Sequence, residues 1–190
     1  MVIATSDSMN IIYYNNKNFD LSITVVEQTT FNIWPDTSVP ASLADPDTSA
    51  VEVGVKFRSD LDGYITGICF FKGSTNTGTH SGSLWTSDGR LLAQATFTNE
   101  STSGWQQVDF VNPMAITIYT FYVASYHAPN ERYAGDIGYY FAMVGVDNGL
   151  LHAFQDGVSG GNGVYLYGAG GFPTNTWQSS NYWVDVIFQP

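Results

Sequence analysis

Apolar and polar residues alternate one for one along most of the chain. In VEVGVKF (51–57), Val51, Val53, Val55 and Phe57 fall on one face, and YITGICFF (64–71) resumes the pattern after the turn pair Asp62-Gly63. A two-residue period is that of a half-buried β-strand, and Asp-Gly is a strong hairpin signal. SLWTSDGRLLAQATF (83–97) reads as a hairpin around Asp88-Gly89, and WQQVDF (105–110), YTFYVASY (119–126), GVYLY (163–167) and NYWVDVIF (181–188) read as further strands. Gly, Pro and Asn clusters separate these segments. No window sustains the period of a capped amphipathic helix, and no internal repeat is visible. Short strands with turns every 8–12 residues or so predict an all-β fold built as an antiparallel β-sandwich. Jelly-roll connectivity is preferred, because the Cys…Trp…Cys framework of an immunoglobulin domain is missing.

The alternation also assigns faces. A two-residue turn at Asp88-Gly89 pairs Trp85 with Leu92 and Leu84 with Ala93, so Leu84, Leu91, Ala93, Ala95 and Phe97 share the core face. Trp85 then points outward beside Ser83 and Gln94. In the last strand Tyr182, Val184, Val186 and Phe188 point inward, and Trp183 shares the other face with Asp185 and Gln189. Two tryptophans are thereby expected on polar faces. The sandwich is assigned to residues 31–190 and an N-terminal arm to residues 1–30. Within the arm, FDLSITVVEQ (19–28) alternates Leu21, Ile23 and Val25 with Ser22 and Thr24, an extra strand without an assigned partner. A free strand edge invites pairing with another chain. Assembly of copies through Leu21, Ile23 and Val25 into a filament or surface array is therefore the alternative to a ligand-binding role.

Composition narrows the functional classes. The 190 residues suit one well-buried domain. Only 12% are charged while 15% are aromatic, so solubility rests on uncharged polar groups. The net charge is −11, and the six basic residues are scattered, which argues against nucleic acid or an anionic membrane surface as a partner. No apolar run approaches the roughly 18 residues of a membrane-inserted helix. The opening MVIATSDSMN has neither the basic start nor the apolar stretch of a signal peptide, as expected of a mature chain.

Catalytic motifs do not survive inspection. Gly157-Val158-Ser159-Gly160-Gly161 has the spacing of a nucleophile elbow, but a strand-like GNGVYLY follows where a helix is needed. His80, His127 and His152 all precede the serine and are too far apart for a zinc motif. Cys69 is single, so no intrachain disulfide forms. A non-enzyme without an organic cofactor is expected. Asp45, Asp47 and Glu52 in DPDTSAVE offer hard oxygen ligands for a structural Ca²⁺, against the simpler reading that they are solvated turn carboxylates.

The aromatic residues point elsewhere. GVYLYGAGGFPTNTWQSSNYW (163–183) interleaves Tyr and Trp with Gly, Ser, Thr and Asn, without a charge. Tyr and Trp present flat apolar faces with a polar handle, a combination that suits the C–H faces and hydroxyls of sugars. Trp85, Tyr167, Phe172, Trp177 and Trp183 are the candidate ligand-binding residues.

The stretches FNIWPDTSVPAS, AVEVGVKFRSDLDGYITGICFFKG, NTGTHSGSLWTSDGRLLAQATF, SGWQQVDF, YVASYHAPNERYA, GVDNGLLHAF and YGAGGFPTNTWQSSNYWVDVIF resemble, in order, a bacterial family of extracellular domains of unknown function. That family recurs in secreted multidomain proteins beside immunoglobulin-like and fibronectin-like repeats and carbohydrate-active modules. The resemblance runs from Phe31 to the C-terminus. It implies a jelly-roll-like domain secreted or held at the cell surface, with polysaccharide or cell-surface glycan as the expected partner, and it carries over no catalytic residues.

Overall fold

The computed structural model describes residues 29–190 except Glu131 and Tyr139. Leu21, Ile23 and Val25 lie outside the described residues. Among the described residues there are ten strands: β1 (Val51–Ser59), β2 (Gly63–Lys72), β3 (Ser81–Thr86), β4 (Leu91–Thr96), β5 (Gly104–Ile116), β6 (Tyr122–Ala128), β7 (Val146–Asn148), β8 (Leu151–Ala153), β9 (Gly163–Tyr167) and β10 (Val184–Gln189). All pairings are antiparallel. One sheet runs β4-β3-β6-β1-β8-β7, with β9 also paired to β1; the other runs β10-β2-β5. The protein is an antiparallel β-sandwich. Among the described residues its layers hold seven and three strands, unlike a jelly roll's eight strands in two sheets.

The inward residues are those the alternation selects. Val53, Val55, Phe57, Leu84, Ala124 and Tyr126 from the large sheet face Ile65, Phe70, Val184, Val186 and Phe188 from the small one, all buried. Phe70 stacks on Tyr126 with centroids 4.0 Å apart, and Phe97 meets Phe70 edge-on at 4.8 Å. Each such side chain contributes about 1.5–3 kcal/mol on burial. The hairpin β7–β8 was not expected, because three-residue strands are too short to show a period.

Two expectations are corrected, one of face and one of exposure. The β3–β4 turn centres on Ser87-Asp88, closed by the Gly89 N–H donating to Thr86 O at 3.0 Å. Gly89 follows with φ +95°, where a glycine is favoured, and a register shift lies between Leu84 and Trp85. Trp85 therefore faces Leu91, while Leu84 pairs with Ala93 as expected. Leu91 is 45% exposed instead of core, and Leu92 packs against the core in its place. Trp183 is the second case. It lies on the outer side with Asp185, as expected, but is covered there by neighbouring aromatics and is only 4% exposed. Its ring packs among Trp34 (5.2 Å), Tyr140 (6.0 Å) and Trp105 (6.3 Å).

Asp185 does point away from the core, yet it is buried beneath residues 31–34. Its Oδ1 accepts N–H bonds from Ile33 and Val186 (both 2.7 Å), and Oδ2 accepts from Trp34 (3.1 Å). On the same edge Asn32 Nδ2 donates to Val186 O, Trp34 Nε1 donates to Val184 O, and Phe31 exchanges two backbone bonds with Phe188. The open edge of β10 is thus sealed by side chains, which removes the pairing surface an edge strand otherwise offers.

Candidate functional site

The large sheet is wider than the small one, and loops rather than strands cover the inner face of β9. Val51 pairs with Tyr167 and Val53 with Tyr165, so both tyrosines share the inner face, their rings 5.4 Å apart. Tyr182, just before β10, stands 6.4 Å from Tyr165, and Tyr133, after β6, meets Tyr182 edge-on at 5.6 Å. The far wall is Trp177. Its loop is fixed by two backbone bonds between Tyr165 and Asn175 (2.8 and 3.0 Å) and by Ser180, whose N–H and Oγ both donate to Trp177 O.

The near rim is a pair of Asx turns. The Asp47 N–H donates to Asp45 Oδ1 (2.9 Å) and the Ser49 N–H to Asp47 Oδ1 (3.0 Å). The Asp45 N–H donates to Tyr133 O at 2.8 Å, tying this rim to the aromatic floor. The Tyr167 hydroxyl donates to Asp47 Oδ2, and that bond, more than burial, pushes the phenol up to about 12. Burial also raises the phenols of Tyr133 and Tyr182, so all three hydroxyls stay protonated at neutral pH.

Together Asp45, Pro46, Asp47, Val51, Tyr133, Ile137, Tyr165, Tyr167, Trp177 and Tyr182 line a cleft of about 480 Å³. Tyr167 and Trp177 are 52% and 53% exposed, so each keeps a ring face for a ligand. The cleft joins two of the five aromatic candidates with two of the three carboxylates. Tyr165 was legible in the sequence, since it lies two residues from Tyr167 in one strand. Tyr182 is buried in the core, as the alternation expects, and also lines the cleft, while nothing near Tyr133 in the sequence marks it.

The other candidates lie apart. Trp85 points outward as expected but is 8% exposed, packed with Val123, Val164 and Phe172, whose ring is 5.8 Å away. Its Nε1 donates to Ser125 Oγ at 2.8 Å, and Ser125 Oγ donates to Glu52 Oε1. Glu52 therefore sits on the outer face of β1, not with Asp45 and Asp47. Gly170, with φ +92°, brings its loop so near that an added Cβ would lie 3.1 Å from Glu52 Oε2. Burial pushes the Glu52 carboxyl up to about 7 against the hydrogen bonds from Ser125 and Gly171. Among the described residues no three His, Cys, Asp or Glu side chains converge to hold a metal ion. The expected Ca²⁺ set of Asp45, Asp47 and Glu52 is not assembled.

A second concavity of about 780 Å³ crosses the outer face of β10-β2-β5, lined by Trp34, Trp105, Cys69, Asp36, Asp109 and Asp185 among others. Its tryptophans are already engaged: Trp34 is 2% exposed, and Trp105 packs against Phe71 and Trp183. Cys69 is buried, and burial beside Asp185 and Asp109 raises its thiol far above the usual range, which makes it unreactive.

The model of a family described as a domain of unknown function (DUF4082) matches residues 37–184. The chain belongs to this family. The DUF4082 match includes every residue that lines the aromatic cleft and leaves out the segment that seals β10. No curated protein matches the chain.

Proposed function

We propose that this domain is a non-catalytic glycan-binding module of a secreted or cell-surface protein, with its ligand seated in the cleft between Tyr167 and Trp177. The observation that carries the reading is that two half-exposed aromatic side chains flank a cleft of about 480 Å³ with phenol and carboxylate groups on its rim. A sugar ring presents polarised C–H groups to a flat aromatic face and hydroxyls to such a rim. The walls are held by backbone bonds, so little ordering is required on binding. The Tyr167 hydroxyl that donates to Asp47 keeps its proton, its phenol being pushed up to about 12, which favours binding over turnover.

Screening the full chain on immobilised glycans, followed by titration calorimetry, tests this. Trp177→Ala and Tyr167→Ala should each weaken the best ligand by about fivefold or more, since stacking of this kind is worth about 1 kcal/mol or more, and both variants should keep the wild-type circular dichroism. Absence of binding to every glycan, or binding that both variants retain in full, refutes the proposal.

A further inference from the structure

The lining of the same cleft speaks to the charge of its ligand. Asp45 and Asp47 both face it, and no Lys, Arg or His is among its lining residues. An acidic polysaccharide would meet two carboxylates with no cation to offset them. A divalent cation is equally unsuited: Ca²⁺ takes about 6–8 oxygen ligands, and no third acidic or histidine side chain joins this pair among the described residues. An organic cation fits both halves of the surface. Aromatic faces attract an ammonium group through their quadrupole, most strongly Trp and then Tyr. Trp177, Tyr165 and Tyr167 supply those faces beside the carboxylates. The internal hydrogen bonds also leave a place for it, since Asp45 receives the Asp47 N–H on Oδ1 and among the described residues no donor reaches its Oδ2. The Tyr167 hydroxyl, already donating to Asp47, holds that ring upright against the rim.

We infer that the cleft recognises a sugar bearing a protonated amino group, a hexosamine unit whose ammonium lies between Asp45 and Asp47 and whose ring stacks on Trp177. This rests on the glycan-binding reading and adds the ligand class. The same ammonium chemistry could be displayed as choline on a cell-surface polymer, and the test separates the two.

Calorimetry on the full chain at about 150 mM salt compares a glucosamine tetramer, its N-acetylated twin and free choline. The glucosamine tetramer should bind at least about tenfold more tightly than its twin at pH 6. The preference should vanish at pH 9.5, because the amine titrates near an α-amino group, at about 8. Asp45→Asn with Asp47→Asn keeps the Asx-turn acceptors and should remove the preference while sparing the fold. Equal or tighter binding of the N-acetylated tetramer overturns the inference and leaves the glycan reading standing. A preference that survives Asp45→Asn with Asp47→Asn also overturns it, since that would reflect only the overall charge of the chain, −11 in the wild type. Binding of choline alone, lost in the double variant, overturns the hexosamine assignment and gives the ammonium site to choline, and the glycan screen then decides the glycan reading. Silence from all three probes overturns the inference, and the reading then stands or falls on the glycan screen.

Discussion

Replacing Asp185 by Asn should flatten the pH dependence of stability. The carboxyl is 2% exposed and receives three backbone N–H bonds, yet burial dominates and lifts it from 3.8 to about 7. A carboxyl raised on folding holds its proton more firmly in the native state than in the unfolded one. Its stabilising contribution is therefore complete below about pH 4 and is lost as pH rises through about 7. Integrating that linkage between pH 4.5 and 7.5 gives a loss of about 3 kcal/mol from this residue. Asp185→Asn is nearly isosteric and does not titrate. Its amide oxygen can still accept the bonds from Ile33 and Val186, at the expense of the longer one from Trp34. The variant should be less stable than wild type at pH 4.5 by about 1 kcal/mol, the net value of one hydrogen bond. Its stability at pH 7.5 should equal or exceed that of wild type. Urea unfolding at the two pH values, extrapolated linearly to water, measures both quantities. Other groups titrate in the same interval, but they are common to both proteins and cancel in the comparison. An unchanged difference between pH 4.5 and 7.5 in the variant refutes the account of Asp185 as a desolvated carboxyl.

Glu52→Gln should flatten the same interval independently, because burial lifts Glu52 from 4.5 to about 7 and it lies on the opposite sheet from Asp185; additivity of the two variants in urea unfolding checks this. His80→Ala should cost about 3 kcal/mol, since it empties the space of a fully buried ring, leaves Asn76 Oδ1 without its partner at 2.8 Å and leaves Glu100 to Lys72 alone. Burial holds His80 below its usual value despite Glu100, so chemical denaturation near pH 7.5, where it is neutral, gives the cleanest reading; a loss under about 1 kcal/mol would contradict the network. Gly163→Ala should destabilise by about 2 kcal/mol, because its Cβ would come within 1.9 Å of Ser180 O and push apart the loop that carries Trp177; a thermal melt equal to wild type would show that the loop yields freely.

Residue alternation alone assigns the class of fold and most of the core. Val51 to Phe57, Leu84 and Val184 to Phe188 alternate because each strand has one wet or covered face and one buried face, and that period is written residue by residue. The sequence also supplied Tyr167 and Trp177, which stand out as aromatic side chains among small polar neighbours, and the Asx turns of Asp45 and Asp47. Tertiary structure decided the rest. Whether an outward residue meets water depends on what folds over it: Trp85 and Glu52 lie beneath the loop carrying Gly170 and Phe172, and Asp185 lies beneath residues 31–34. None of these covers is near in sequence to what it covers. The same holds for Trp183, which Trp34 and Trp105 cover, while alternation itself fails at the register shift that turns Leu91 outward. The cleft itself is a tertiary product. It brings Asp45, Tyr133, Tyr165, Trp177 and Tyr182 together from five separate segments, because the small sheet stops short of β9 and the exposed inner face has to be covered by loops.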